Sequence, residues 1–201
     1  MGRISTLDRL LLLLTAVSAA YQVVKGIEGL DTFSIVCYTV AFGVILIAAL
    51  LLLILGLEIL DSPLVVIVST IIPLSLSLGL VSQFLPDYSA LYLVFTLIGF
   101  TAVVLTRFFI PGKIAVIVLA VIHGIAGLTI FLLPIVLTLQ DKTPTGFLLV
   151  SLGGALIGVG GLLLAFLKTG KPILPRETIL RVLPGLLLLM TLSFVAGFAF
   201  L

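Results

Sequence analysis

The charged residues of this chain are separated by long stretches that contain no Lys, Arg, Asp or Glu. Six of these stretches are 19 to 27 residues long. They are residues 32–57, 62–86, 88–106, 114–140, 143–167 and 182–201. A helix rises about 1.5 Å per residue, so about 20 apolar residues span the hydrocarbon core of a bilayer. The spacing of the charges therefore predicts an all-α, polytopic integral membrane helix bundle.

A seventh helix depends on the N-terminal stretch, because only 15 residues, 10–24, separate Arg9 from Lys25. The segment reaches spanning length if Leu7 and Ile27 are included and the two bases extend toward the headgroups. A charged start followed by leucines and small residues also describes a cleavable signal peptide, although Asp8 interrupts the positive region. We expect seven transmembrane helices, with six as the alternative if this segment is removed.

The expected architecture is a single transmembrane domain over residues 1–201, because every connection is too short for a soluble domain. Proline and capping residues lie between the spans, as at Asp61-Ser62-Pro63, which suits the start of the third helix. The approximate helices are 7–27, 32–57, 63–85, 88–107, 113–139, 145–167 and 178–200.

The composition excludes several classes of protein. The chain is 62% hydrophobic and 9% charged, whereas soluble domains are about 45–50% apolar and about 25% charged. A soluble globule, a disordered chain and a coiled coil are therefore excluded. A formal net charge of +2 offers no basic face for a nucleic acid. Cys37 is the single cysteine, so no internal disulfide can form, and we expect it to behave as a small apolar residue.

The bases predict the orientation, because Lys and Arg concentrate on the cytoplasmic side of short loops. With the N-terminus inside and the C-terminus outside, eight of the ten bases are cytoplasmic. These are Arg3, Arg9, Arg107, Lys113, Lys168, Lys171, Arg176 and Arg181, while Lys25 and Lys142 lie outside. All four tyrosines then fall near outer helix ends, as an interfacial aromatic belt would; they are Tyr21, Tyr38, Tyr88 and Tyr92. The expected location is the plasma (inner) membrane of a prokaryote.

One cytoplasmic connection is acidic rather than basic. Glu58 and Asp61 lie three residues apart where the second helix meets the third. They could form a cation-binding or docking site, or they could cap the third helix and pair with Arg176 or Arg181. We favour the second interpretation, because two carboxylates without further oxygen ligands make a poor metal site.

Three irregular features fall at a similar depth near the bilayer midplane. His123 lies ten residues beyond Lys113, about 15 Å into the membrane. Pro73 is central in the third helix, where it removes a backbone hydrogen bond. Nearby hydroxyl groups share its face, and that polar face should point into the bundle; they belong to Ser69, Thr70 and Ser77. Together these residues could line a binding pocket, or Pro73 could be a kink repaired by the hydroxyls.

His123 has several interpretations of its own. A neutral imidazole at mid-depth could relay protons, ligate haem, or donate a hydrogen bond to a substrate. It could also simply bond a hydroxyl or a backbone carbonyl. No second histidine is present to complete a haem pair, and one His with one Cys cannot hold a hydrolytic zinc ion. We therefore expect no cofactor and no metal.

Glycines form a cluster in the sixth helix, where small residues let helix backbones approach closely. Gly153, Gly154, Gly158 and Gly161 could pack within the monomer or form a self-association face. Gly124, Gly127 and Ala120 offer a similar surface on the fifth helix.

Two functional hypotheses remain once mechanisms that need charged groups at depth are removed. Retinal binding needs a lysine at depth, aspartyl proteolysis needs aspartates there, and most ion-driven transport needs acidic groups there. The sequence has none of these residues at depth within the spans. The first hypothesis is a non-enzymatic protein that binds or passes an uncharged or lipophilic solute at the midplane pocket. The alternative is an accessory or scaffold subunit of a larger membrane complex, or of a homo-oligomer, that contacts partners through its glycine faces and inner loops.

Overall fold

Seven long helices make up almost the whole of the computed structural model. It describes residues 4–27, 29–110, 112–168 and 174–201, with the side chains of residues 61 and 165–168 left aside. The described chain is all-helical, with no strand in it. The helices are α1 (Thr6–Lys25), α2 (Thr32–Leu55), α3 (Pro63–Phe84), α4 (Ser89–Phe109), α5 (Lys113–Leu139), α6 (Leu148–Lys168) and α7 (Arg176–Phe198).

Each of the seven helical segments is long and apolar enough to cross a membrane. The prediction of an all-α chain with seven such helices is therefore confirmed, and the structure is compatible with a multi-pass membrane protein. The N-terminal segment in particular forms a continuous helix that packs against α2 and α7.

Helix ends follow local chemistry and differ from the predicted bounds by a few residues. Glycines with positive φ end α1 at Gly26 (φ 66°) and α2 at Gly56 (φ 86°), so both helices are shorter than predicted. Short 3₁₀ turns at Pro86–Tyr88 and Thr145–Phe147 delay the starts of α4 and α6. Proline at the first position of each turn, or just before it, accounts for this tighter start.

Two helix starts are capped by side chains, whereas those of α3, α4, α5 and α7 are not. Ser5 and Asp8 form a reciprocal capping box at α1, and Asp31 accepts hydrogen bonds from two N–H groups at the start of α2. At α3 the N-cap is Ser62, and its side chain makes no capping bond. Glu58 belongs to a separate 3₁₀ turn, Leu57–Asp61, before α3, and the expectation that the acidic pair caps α3 or pairs with a base stays a prediction.

Six helices form a closed ring, and α4 lies outside it. Packing runs from α1 to α2, α3, α5, α6 and α7, and α7 returns to α1. Helix α4 packs only against α3 and α5 among its main neighbours, and Val103 joins it to a small apolar cluster there. The ring has no open centre at the level of its aromatic residues, because buried side chains from all six helices meet in one core. The largest are Tyr38, Phe42, Phe147, Phe194 and Phe198.

The two ends of the bundle differ in charge. We call the end that carries the α2–α3, α4–α5 and α6–α7 connections the basic end, since Arg9, Arg107, Lys113 and Arg181 lie near it. The opposite end carries Lys25 and Lys142. This distribution is the one on which the predicted orientation depends.

The tyrosines all lie near the opposite end, but they do not form one belt. Tyr21 and Tyr88 are exposed there, as expected. Tyr38 is buried instead, with 3% of its surface exposed, and its hydroxyl donates to Gln83 Oε1 at 2.7 Å. The belt assignment is therefore wrong for Tyr38, because Gly79 of α3 leaves room for its ring inside the core.

Candidate functional site

The predicted polar face of α3 points into the bundle. Thr70 and Ser77 are fully buried and Pro73 is buried, while Ser69 is half-buried. Their hydroxyls bond carbonyls of the same helix: Thr70 and Ser69 donate to Val66 O at 2.7 and 3.0 Å. Ser77 Oγ donates to Pro73 O at 2.6 Å. These back-bonds satisfy the donors locally and tie the face to its own helix.

His123 lies at the same level as this face but is not bonded to it. Leu74 and Ile122, the sequence neighbours of Pro73 and His123, belong to one apolar cluster between α3, α4 and α5. The imidazole is half-buried, and its Nδ1 atom is buried without a hydrogen bond of good geometry in the described chain. The groups that act on the ring are the Leu119 backbone, one turn earlier on α5, and Arg107 of α4. The structure thus places His123 and the hydroxyl residues at one depth without joining them into a hydrogen-bonded site.

Two cavities lie elsewhere, at the opposite end of the bundle. One, of about 10 Å³, is lined by residues of α1 and α2 that include Gln22 and Thr39. The other is an open cleft of about 340 Å³ beside the connection between α5 and α6, lined by residues such as Asp141 and Lys142. None of the predicted pocket residues lines either cavity.

Glycines at the α6–α7 interface fill a packing role. A Cβ on Gly153 would lie 2.5 Å from the Phe194 ring. A Cβ on Gly197 of α7 would lie 2.7 Å from the backbone nitrogen of Val150. Only a hydrogen atom fits at these two positions, so glycine is what allows α6 and α7 to approach closely.

Helices α5 and α6 pack against each other, and at one level their backbones touch. A Cβ on Gly154 would lie 2.9 Å from the Ile130 side chain and 3.1 Å from the backbone nitrogen of Phe131. This contact is therefore between backbones. Pro134 lies one turn further along α5 and has no N–H to bond the Ile130 carbonyl, which adds to the irregularity of this stretch.

Toward the basic end the glycines of the same two helices have no close neighbour. Apart from the backbone of its own helix turn, no described atom lies within 4 Å of a Cβ built on Gly124, Gly127, Gly158 or Gly161. Because α5 and α6 are antiparallel and Gly154 opposes Ile130–Phe131, Gly158 falls at the level of Gly127, and Gly161 at the level of Gly124. We call the exposed surface that carries these four glycines the α5–α6 groove.

The α6 glycines therefore have different surroundings along the helix. Gly153 and Gly154 lie at tight contacts, whereas Gly158 and Gly161 are exposed. Packing within the monomer is wrong as an explanation for Gly158 and Gly161, because no neighbouring helix reaches them. Their small size needs another reason.

His123 lies at the edge of the α5–α6 groove. Residues 123, 127 and 130 follow one helical face, so the imidazole lies one turn from Gly127 and two turns from the Ile130 contact. Among the acidic and basic residues and histidine, it is the only one in α5 beyond Lys113. The groove thus combines an apolar wall with one unpartnered polar atom, Nδ1 of His123, nearby.

Four further unpartnered atoms were not anticipated from the sequence; they belong to Ser34, Thr96, Arg107 and Ser151. Nε of Arg107 at the end of α4 and Oγ of Ser151 in α6 are buried without hydrogen-bond partners in the described residues. Ser151 continues the face of Gly154, Gly158 and Gly161 by one turn, and this periodicity was the signal that could have identified it.

The acidic pair at the basic end does not extend into a larger cluster of ligands. Glu58 is exposed, and the side chain of Asp61 lies outside the described part of the structure. Within the described residues no three His, Cys, Asp or Glu side chains come together as a metal site would require.

Comparisons with known proteins give no assignment to a family. No protein-family model matches the chain, and no curated protein or solved structure is significantly similar to it.

Proposed function

We propose that this multi-pass membrane protein binds a lipophilic molecule that enters sideways from the bilayer into the α5–α6 groove. The observation that carries the proposal is the pair of opposing glycines at two successive levels, none with a neighbour within 4 Å. An empty space between two helices loses dispersion contacts along both walls. A chain from the surrounding bilayer restores those contacts without any opening to water.

The interior of the bundle favours this lateral site over a central pocket. The ring is filled by aromatic side chains, and the α3 hydroxyls already bond their own helix. Of the residues expected at a midplane pocket, His123 is the one that remains beside an open space. Binding and release of a bilayer-soluble molecule thus replaces passage of a solute through the centre as the preferred hypothesis.

The imidazole supports recognition of a ligand rather than simple contact with bulk lipid. A buried polar atom without a partner costs about 1–3 kcal/mol. Nδ1 of His123 has no partner in the described chain, and an oxygen atom on a bound molecule would supply one. We expect no reaction at this site, since an imidazole whose charged neighbour is the guanidinium of Arg107 has no carboxylate or nucleophile to complete a catalytic set.

The alternative is that the groove receives a transmembrane helix of another subunit. Exposed glycines on membrane helices also accept neighbouring helices, because backbones then come close together. In that case the protein would be an accessory or scaffold subunit. The two hypotheses differ in what occupies the groove, so one labelling experiment separates them.

The test uses the full-length protein in phosphatidylcholine nanodiscs doped with a phosphatidylcholine that carries a diazirine in its acyl chain. After irradiation, mass spectrometry of peptides maps the labelled residues. We expect labelling around Gly127 and Gly158 to be about tenfold above that at Leu132, an exposed residue of the same α5 helix. The double variant Gly158→Leu, Gly161→Leu should abolish this excess, because two leucine side chains fill the groove.

A matched control is Gly43→Leu on α2, where a Cβ likewise meets nothing within 4 Å. This variant should leave the labelling of the groove unchanged. Equal labelling of the groove and Leu132 would contradict the proposal, since it would reflect ordinary boundary lipid. A protein that co-purifies in stoichiometric amount, and is lost in the double variant, would favour the alternative.

A further inference from the structure

We infer that α5 bends at a hinge at Pro134 and that Ser151 of α6 holds it in a closed state, in which α5 and α6 come together along the α5–α6 groove. This inference rests on the proposed function. The structure shows the open state, since the groove glycines touch no neighbouring helix. A wall that moves lets a molecule from the bilayer enter and leave the groove.

The hinge lies where the backbone hydrogen bonding of α5 is interrupted. Pro134 has no N–H, so the Ile130 carbonyl loses the partner that it would have in a regular helix. Sharp bends of helices concentrate at such positions. At the same level α6 touches α5, because a Cβ on Gly154 would lie 3.2 Å from the Ile130 carbonyl carbon. The long segment of α5 before Pro134, which carries one side of the groove, therefore has a natural pivot at this contact.

Ser151 of α6 supplies a hydrogen-bond donor that the open state does not use. Its side chain is 4% exposed, and its Oγ has no partner among the described residues. Thr70, Ser77 and Thr191 are buried to the same degree, but each donates to the carbonyl four residues earlier in its own helix. Ser151 is in the first turn of α6, so the residue four positions earlier belongs to the 3₁₀ turn Thr145–Phe147. An unpaired buried donor favours any state that gives it an acceptor.

This donor and the Ile130 carbonyl lie at one level on facing helices. Ser151 is one turn from Gly154 on the same face of α6. Because the two helices are antiparallel and Gly154 opposes Ile130, Ser151 falls at the level of Pro134. A helical carbonyl points toward the residue four positions later, so the Ile130 oxygen points toward the level of Ser151. A swing of the α5 segment toward α6 thus brings the two atoms into a hydrogen bond.

The groove glycines are suited to the closed state. Gly127 is at the level of Gly158, and Gly124 is at the level of Gly161, so no side chain at these positions keeps the helices apart. Close approach of backbones at small residues stabilises pairs of membrane helices. A molecule from the bilayer binds only when the helices are apart, so it shifts the equilibrium toward the open state.

Distance measurements between spin labels, by pulsed electron paramagnetic resonance on the full-length protein, report the two states. The background is Cys37→Ala, which removes the native thiol. Labels at Val121 of α5 and Leu162 of α6, two exposed residues at about the same level, span the groove. We expect two distances in lipid-free detergent and a shift toward the longer one when phosphatidylcholine is added. Labels at Val159 and Leu189, across the tight α6–α7 interface, are the matched control and should give one distance.

Three variants test the hinge and the hydrogen bond. Ser151→Ala should raise the ratio of open to closed molecules in lipid-free detergent about threefold, the usual effect of one hydrogen bond between membrane helices. Ser151→Thr keeps the hydroxyl and should keep the native ratio. Pro134→Ala returns an N–H to the Ile130 carbonyl and should leave a single distance. An unchanged ratio in Ser151→Ala, or two distances in Pro134→Ala, would overturn the inference.

The outcomes separate this inference from the proposal on which it rests. A single distance with and without phosphatidylcholine, together with excess photolabel in the groove, would overturn the hinge and leave lipophile binding intact. Two distances without excess photolabel in the groove would instead remove the proposed function, while the movement of α5 would stand.

Discussion

The two flanks of α6 use glycine in opposite ways. Toward α7, Gly153 lies against the Phe194 ring, and no larger residue fits. Toward α5, Gly158 and Gly161 face open space although they belong to the same run of small residues. The comparison shows that a glycine-rich membrane helix is not one continuous packing surface. The role of a glycine depends on whether a neighbouring helix is in contact at that level of the helix that carries it.

The largest expected effect comes from adding a methyl group on the two flanks. Gly197→Ala places a Cβ 2.7 Å from the backbone nitrogen of Val150, and backbone cannot move aside easily. We expect a loss of about 1–3 kcal/mol in the free energy of unfolding. Gly158→Ala should instead stabilise the protein by up to about 1 kcal/mol, because alanine favours a helix and meets no neighbour.

Reversible unfolding in mixed micelles measures both variants. Opposite signs for Gly197→Ala and Gly158→Ala would support the division of α6 into a closed and an open flank. A destabilised Gly158→Ala would show that the open flank is closed in the native bilayer, and the comparison would then fail.

The next effect concerns the unpartnered imidazole at the open flank. His123→Leu removes a buried nitrogen that has no hydrogen bond in the described chain. In detergent stripped of lipid we expect the variant to be more stable by about 1–3 kcal/mol, since the cost of burying Nδ1 disappears. Thermal unfolding followed by circular dichroism checks this. A clear loss of stability would mean that the imidazole has a partner within the folded chain.

A smaller effect is expected at a helix start far from α6. Asp31→Ala removes the side chain that accepts from the N–H groups of Phe33 and Ser34 at 2.9 and 3.0 Å. The expected cost is about 1 kcal/mol, and Asp31→Asn should retain most of the stability because asparagine also caps well. Equal losses in the two variants would contradict a capping role.

The same carboxylate gives a dependence on pH. Hydrogen bonding from Ser34, and less from the Phe33 N–H, lowers the pKa of Asp31 below its ordinary value of 3.8. A depressed folded-state pKa means that the stabilisation is complete above the ordinary value and is lost as the pH falls below it. The stability difference between the native protein and Asp31→Asn should therefore narrow between neutral pH and about pH 3. An unchanged difference would contradict the shift.

The smallest effect compares two hydrogen bonds between helices. Tyr38 donates to Gln83 at 2.7 Å in the closed core, and Tyr92 donates to Thr129 at 3.1 Å beside α4. Substitution of either tyrosine by phenylalanine should cost about 0.6 kcal/mol, the usual value in membrane bundles. We expect Tyr38→Phe to cost more, because its hydroxyl is the more deeply buried. Double-mutant cycles with Gln83→Leu and Thr129→Val isolate each bond, and a larger coupling for Tyr92 would reverse this expectation.

More of the fold than of the candidate site could be predicted from the sequence. Gaps between charges predicted six helices because the bilayer sets a minimum apolar length, and including Leu7 and Ile27 predicted the seventh. The helix ends at Gly26 and Gly56 were predicted to within two residues. The inward orientation of Thr70 and Ser77 followed from helical periodicity, and both are buried. Each of these inferences uses the sequence of a single helix and needs no knowledge of its neighbours.

What could not be predicted depends on which helix lies opposite. Tyr38 is in the core because Gly79, 41 residues away in the sequence, makes space for its ring. Gly154 and Gly158 are chemically equivalent in the sequence, yet one touches Ile130 and the other touches nothing. Periodicity assigns a face to each residue, but it does not say where two helices separate.

The closure of the ring by α1 and α7 has a consequence for the order of assembly. Helix α1 packs against α7, which is synthesised after the five helices between them, so α1 must wait for its partner until α7 has been inserted. The buried polar side chains of α1 do not need α7 as a hydrogen-bond partner during this time. Thr15 donates to Leu11 O and Gln22 donates to Gly26 O, so both are paired within α1 and its immediate end before any neighbour arrives. A lone α1 therefore presents few unsatisfied groups to lipid during biosynthesis.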